Sequence, residues 1–165
     1  MGLRDRYAMY WQQNVRHTLI NRAYCLDNPY DWEGYGENLW GITASYGVPD
    51  GYMAHMPGYW FDRGVIAPTA AVSSMPYTPR YSMEVLKNLY RNYGQQVYGR
   101  YGFYDALKIE KGKACVRKEY LSIDQGPQVV MIENHRTGLL WRLFMSDEDV
   151  ERGLSRLGFS IDETR

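Results

Sequence analysis

Residues 122–145, SIDQGPQVVMIENHRTGLLWRLFM, form the longest apolar-rich stretch of the chain, opening on a polar turn and punctuated by Gly126-Pro127. Proline pushes the residue before it out of the α region and suits the first helical position. The stretch therefore predicts a helix beginning near Pro127, with Asp124 and Gln125 in the turn before it. Val129, Val130, Met131 and Ile132 are apolar on every side, which predicts a buried rather than an amphipathic helix. A carboxylate and an amide at the mouth of a buried helix can place polar groups in a pocket. The simpler alternative is that Asp124 only caps the helix, since Asp is a favoured cap residue.

Outward from this stretch, composition sets the bounds. A chain of 165 residues is one domain or a piece of one, and 45% hydrophobic residues suffice for a core. The 19 Lys and Arg balance the 19 Asp and Glu, so no net field favours nucleic acid or an acidic membrane. No apolar run is long enough to span a bilayer, and the N-terminal residues lack the apolar region of a signal peptide. The 16 Tyr and 5 Trp supply rings with one apolar face and one polar handle, which suits sugar rings as well as hydrogen-bonded cores. Cys25 and Cys115 have no paired spacing and read as buried, reduced and structural. His17, His55 and His135 show no metal-ligand spacing.

In chain order, Tyr7, Trp11, Val15, Thr18 and Arg22 mark one row of a helix over about 3–26, closed by Asp27-Asn28-Pro29. Residues 37–45 predict a short helix with Glu37 in its first turn, where a carboxylate is favoured. Glu37 then either complements the helix dipole or lines a site, and Trp40 is either core or a stacking face. Pro68 opens a small-residue helix. Thr78-Pro79 starts a helix running to Tyr93, with apolar rows Met83, Leu86, Tyr90 and Val85, Leu89, Tyr93, and Gly94 as its stop. Residues 103–106 read as a loop or short turn that brings Asp105 to a pocket, and 108–118 as a solvated hairpin or loop. Ser146-Asp147 caps a last helix, and the tail 160–165 reads as frayed. The sum is an all-α expectation with long aromatic loops.

Four stretches carry a resemblance: YGENLWGITASYGVPDGY (35–52), GVIAPTAAVSSMPYTP (64–79), YGFYDAL (101–107) and YLSIDQGPQVVMIENHRTGLLWRLFM (120–145). They resemble, in order and over almost the whole chain, the glucoamylase-like glycoside hydrolase family, which includes endo-β-1,2-glucanases and a part of cyclic β-1,2-glucan synthases. The resemblance implies a partial (α/α)6 toroid, with residues 1–165 as a single piece from its C-terminal portion. It departs from the family pattern where Tyr46 replaces an acidic residue and Val48 is inserted.

The resemblance also implies a glucan substrate, inverting carboxyl chemistry, and no metal or other cofactor. Asp124 would activate water, with Asp105 as second choice for that role. Gln125 would orient Asp124 or bind a sugar hydroxyl. Glu37, Asn38 and Trp40 would bind or stack a glucose unit, and Tyr104 would add a hydroxyl contact. Glu133 reads as a hydrogen-bonded structural carboxylate. The proton donor would lie in the half preceding this chain, so the isolated chain is expected to be catalytically inactive. It is also expected to associate with the missing N-terminal half or with itself through uncovered helix faces. A non-catalytic carbohydrate-binding protein and a helical interaction protein are the alternatives. Relatives are often periplasmic or exported, with any export signal upstream of Met1.

Overall fold

The structure, a computed structural model, describes residues 2–162. Among these, six helices follow in order: α1 (Tyr10–Asp27), α2 (Pro68–Val72), α3 (Pro79–Val97), α4 (Ser122–Thr137), α5 (Leu139–Met145) and α6 (Glu148–Arg156). Eight short strands pair into four two-stranded antiparallel sheets. These are β1 (Gly2–Arg4) with β8 (Ser160–Asp162), β2 (Ser45–Tyr46) with β3 (Tyr52–Met53), β4 (Tyr98–Gly99) with β5 (Gly102–Phe103), and β6 (Ala106–Glu110) with β7 (Lys113–Arg117). The all-α expectation is thereby corrected to a helical fold with small antiparallel sheets.

The sheets arise where glycines and positive φ values close tight turns. Between β6 and β7, Lys111 and Gly112 have φ of 52° and 74°. Two positive φ values make the turn whose twist matches an antiparallel pair. The Glu33 carboxylate accepts hydrogen bonds from both turn amides, at 2.7 and 2.6 Å. At the chain ends, Ser160–Asp162 pairs with Gly2–Arg4 instead of fraying; residues 163–165 of the expected tail lie outside the described residues.

Helix α1 closes as expected, with Asn28 left-handed and its N–H on the Tyr24 carbonyl. Helix α3 runs through Gly94 to Val97 and sets Val85, Leu89 and Val97 against Cys25, Trp40, Ile66, Val72 and Leu107 to form the core. Asp147 caps α6, its carboxylate accepting from the amides of Asp149 and Val150.

The helix expected over 37–45 is absent. Gly36 bridges Leu39, leaving Glu37 and Asn38 as the turn between them. The segment's backbone bonds go elsewhere: Ala67 N–H to the Gly41 carbonyl, and both Ile42 backbone groups to the Asn21 amide. Gly41 has φ of 129°, and a Cβ there would come within 3.2 Å of α2 atoms. Close approach to the small residues of α2, not helical periodicity, dictates this path.

Helix α4 begins at Ser122, before Pro127 rather than at it, and Pro127 lies inside the helix. Gly126 has no Cβ, which removes part of the clash a proline imposes on its predecessor. Pro127 has no N–H, so the Ile123 carbonyl loses its helical donor. The Asp124 carbonyl is served by two side chains, the Thr69 hydroxyl at 3.1 Å and the Gln128 amide at 3.2 Å. Burial is also the reverse of the expectation. Asp124, Gln128 and Asn134 are the buried residues of α4, whereas Ile123 and Val129 are 71% and 70% exposed.

Candidate active site

Two carboxylates from distant parts of the chain meet under α4. Asp124 lies in the first turn of that helix and Asp105 in the bend between β5 and β6. They are 6% and 2% exposed. Asp105 is fixed at both ends: its N–H donates to the Glu119 carbonyl at 3.0 Å, and its Oδ2 accepts from the Tyr46 N–H at 2.7 Å. Asp105 Oδ1 and Asp124 Oδ2 are buried and take no hydrogen bond from any other residue. Neighbouring buried carboxylates cannot both ionise cheaply, which favours the protonated form of Asp124. Burial, then the hydrogen bond and charge of Asp105, push Asp124 up to about 7.

This contact limits the chemistry. Glycosidases of either stereochemical course hold their two working carboxyls roughly 5–9.5 Å apart, across the scissile bond. Two carboxyls within hydrogen-bonding reach are closer than that. Asp105 and Asp124 therefore lie on one side of any scissile bond, with Asp124 able to hold or take a proton near neutral pH, and are not an acid and a base on opposite sides of it.

Asp124 opens onto a cavity of about 460 Å³. Ile123 and Pro127 flank it on α4, Thr69 and Ser73 line it from α2, Thr18 and Asn21 from α1, and Tyr52 from β3. Trp40 also lines this cavity but is wholly buried, so it backs the wall without an exposed ring face. Gln125 donates to the Phe103 carbonyl at 2.7 Å, tying α4 to β5. Tyr104 packs on Tyr120 with ring centroids 4.9 Å apart, and the hydrogen bond between their hydroxyls raises the Tyr104 phenol. Glu37 and Asn38 sit on an exposed turn outside the cavity lining, with the Asn38 carbonyl held by Asn88 at 2.7 Å. Glu133 takes a hydrogen bond from Thr137 at 2.7 Å and an ion pair from Arg136 at 3.2 Å.

The family model "Glycoamylase: Putative glucoamylase" matches residues 1–148. The chain belongs to this family. Among glycoamylase relatives, a Parabacteroides distasonis protein named exo beta-1,2-glucooligosaccharide sophorohydrolase (non-reducing end) is 43% identical over 153 residues, 93% of this chain and 21% of that protein. The endo-beta-1,2-glucanase from Chitinophaga pinensis, solved with sophorotriose and glucose, is 53% identical with a TM-score of 0.91, covering 98% of this chain and 38% of its own. A beta-1,2-glucanase structure from Parabacteroides distasonis is 42% identical with a TM-score of 0.86, covering 93% of this chain and 22% of its own. The chain thus spans well under half the length of these relatives.

Within this glycoamylase segment, sequence reading singled out both carboxylates but missed Thr18, Asn21, Thr69, Ser73 and Tyr52 of the cavity wall. The run TAAVSSM was the available signal, since small residues let α2 approach α4. Nothing in their spacing marked the others. Among the described residues, no group of His, Cys, Asp and Glu could hold a metal ion, and no helix is long and apolar enough to cross a membrane. Cys25 is buried, which pushes its thiol up to about 11, while Cys115 is only half-buried.

Proposed function

We propose that this chain is the part of a β-1,2-glucan hydrolase that supplies one of its two catalytic carboxyl units. Residues 1–165 would form a single piece of an (α/α)6 toroid, its C-terminal hairpins. The observation that carries the reading is buried Asp124, which opens onto the cavity with buried Asp105 against it. A general base works best when its pKa lies near the operating pH. Asp124, with a pKa of about 7, meets that condition as the water-activating group. Asp105 lies beside it and raises that pKa through its hydrogen bond and charge. The acid on the other side of the glycosidic bond comes from outside this chain. Names of the relatives, a sophorohydrolase and endo- and beta-1,2-glucanases, support the substrate class. The positions of Glu37 and Asn38 on an exposed turn lend no support to a sugar-contacting role for them.

The test is Asp124→Asn in the longest protein that carries this segment, assayed by release of reducing sugar from a β-1,2-glucan. Removing a general base costs about 10²–10⁴-fold in kcat. Turnover within tenfold of the unaltered protein would refute the assignment. The 165-residue chain alone is expected to bind the glucan without cleaving it. Robust hydrolysis by the chain alone would overturn the single-unit reading.

A further inference from the structure

The Asp105 carboxylate is held by a closed ring of contacts that begins and ends on one residue, Glu119. The Glu119 carbonyl accepts the Asp105 N–H at 3.0 Å. Asp105 Oδ2 accepts the Tyr46 N–H at 2.7 Å. The Arg117 guanidinium lies over the Tyr46 ring, 5.1 Å from its centroid. Arg117 then returns to the Glu119 carboxylate, with both Nε and a terminal nitrogen 3.0 Å from Oε1. The register of β6 and β7 places Arg117 opposite Ala106, next to Asp105 in the chain. On its other side, Tyr46 pairs with the cavity-lining Tyr52, rings 5.6 Å apart and edge to face.

We propose that Arg117 is a positioning residue for the Asp105–Asp124 pair, acting through the ring and backbone of Tyr46. Tyr46 stands on a two-residue strand joined only to β3, so its backbone direction is weakly determined by the sheet. A flat guanidinium can stack on the ring and grip a carboxylate in the same plane, which a lysine ammonium cannot do. The stack fixes Tyr46, its N–H fixes Oδ2 of Asp105, and Oδ1 is thereby turned to Asp124. A cation placed here only for its charge would act in the opposite sense. It would favour ionised carboxylates, whereas a clamp that presses two carboxyls together favours a retained proton. Three other residues bear on the pair: Thr69 and Gln128, whose donors reach only the Asp124 carbonyl, and buried His55, whose pKa is lowered by desolvation and which feels the Asp105 charge.

The inference deepens the carboxyl-unit reading, yet its test needs no turnover. The carboxyl carbon of Asp124 is titrated by ¹³C NMR in the whole 165-residue chain, the signal being assigned by its loss in Asp124→Asn. The unaltered chain should titrate at about 7. Arg117→Lys, which keeps the charge but loses the flat stack, should lower the midpoint by about one pH unit, tenfold in proton affinity. Tyr46→Leu, which keeps the N–H but loses the ring's cation-binding face, should move it the same way. Arg80→Met, at an exposed ion pair on α3, should leave it in place. A midpoint unmoved in both Arg117→Lys and Tyr46→Leu, or one that rises in Arg117→Met, overturns the proposal and leaves a charge role or none. Circular dichroism confirms that each variant is folded, and the two variants remove the Arg117–Tyr46 stack from opposite sides. An unaltered chain in which Asp124 titrates near 3.8 would instead remove the carboxyl pair itself, while loss of turnover in Asp124→Asn tests the hydrolase reading separately.

Discussion

Helices α3 and α4 relate sequence to burial in opposite ways. Helix α3 places Val85, Leu89 and Val97 in the core and leaves Arg80, Tyr90 and Arg91 exposed, as an amphipathic helix on a globular core should. Helix α4 buries Asp124, Gln128 and Asn134 and exposes Ile123, Val129 and Val130. Its continuation α5 exposes Leu139, Leu143 and Phe144. The difference is one of task. Helix α3 is held by apolar contact within the chain. Helix α4 is held by polar bonds at its inner side: Thr69 on its first turn, Gln125 on β5, and the contact of Asp124 with Asp105. Its aliphatic side faces outward, the kind of surface that another protein surface covers.

Four experiments would break or sharpen that contrast. The largest effect belongs to the core of α3. Leu89 is fully buried, and Leu89→Ala should cost about 2–5 kcal/mol in urea or thermal unfolding. A loss below about 1 kcal/mol would mean that α3 is not the core helix. Next comes the outer side of α4 and α5. The chain is expected to self-associate there, and Val129→Lys with Leu143→Lys should weaken association by about tenfold or more, since each buried aliphatic side chain is worth about 1.5–3 kcal/mol. Sedimentation that is identical for the two proteins would show that this surface is not what brings copies together.

The third effect is smaller and depends on pH. Asp124 has a folded pKa of about 7 against an ordinary value of 3.8. The native state therefore holds more protons than the unfolded state between those values, and stability falls as pH rises through that window. Above it, the native state carries the full penalty of an ionised pair. Asp124→Asn should thus raise the melting temperature at pH 8 and lose most of that gain near pH 4. A gain equal at both pH values would argue against a raised pKa of Asp124. The smallest effect is expected for Val129→Ala on unfolding of the monomer, at concentrations too low for association, within about 0.5 kcal/mol of the unaltered chain. A larger loss would show that the exposed face of α4 is packed after all.

How far the site could be read in advance follows from the same contrast. The row Val85 and Leu89 of α3, the cap at Asp147 and the stop at Asn28 are local signals, and each appears in the structure as read, although Tyr90 of the other row is exposed and α3 runs past Gly94. Asp124 and Asp105 were singled out from short stretches, but their meeting was not in either stretch. The helix expected over 37–45 failed because Asn21 and Ala67 supply the backbone bonds of that segment from far along the chain. The burial expected for α4 failed because an apolar run states only that a surface seeks cover, not that this chain provides it.

The sequence by itself determined most helices, the caps that bound α1 and α6, the balance of charge, and the family through its ordered motifs. Those features rest on residues within a few positions of one another, where backbone sterics and periodicity decide. Tertiary structure alone decided that Asp105 lies against Asp124 and that Arg117 closes a ring of contacts on Asp105 through Tyr46. It also decided which side of α4 turns inward. A proton affinity depends on what lies within a few ångströms in space, and here those neighbours come from β2, the β5–β6 bend, β7 and α4, brought together only by the fold.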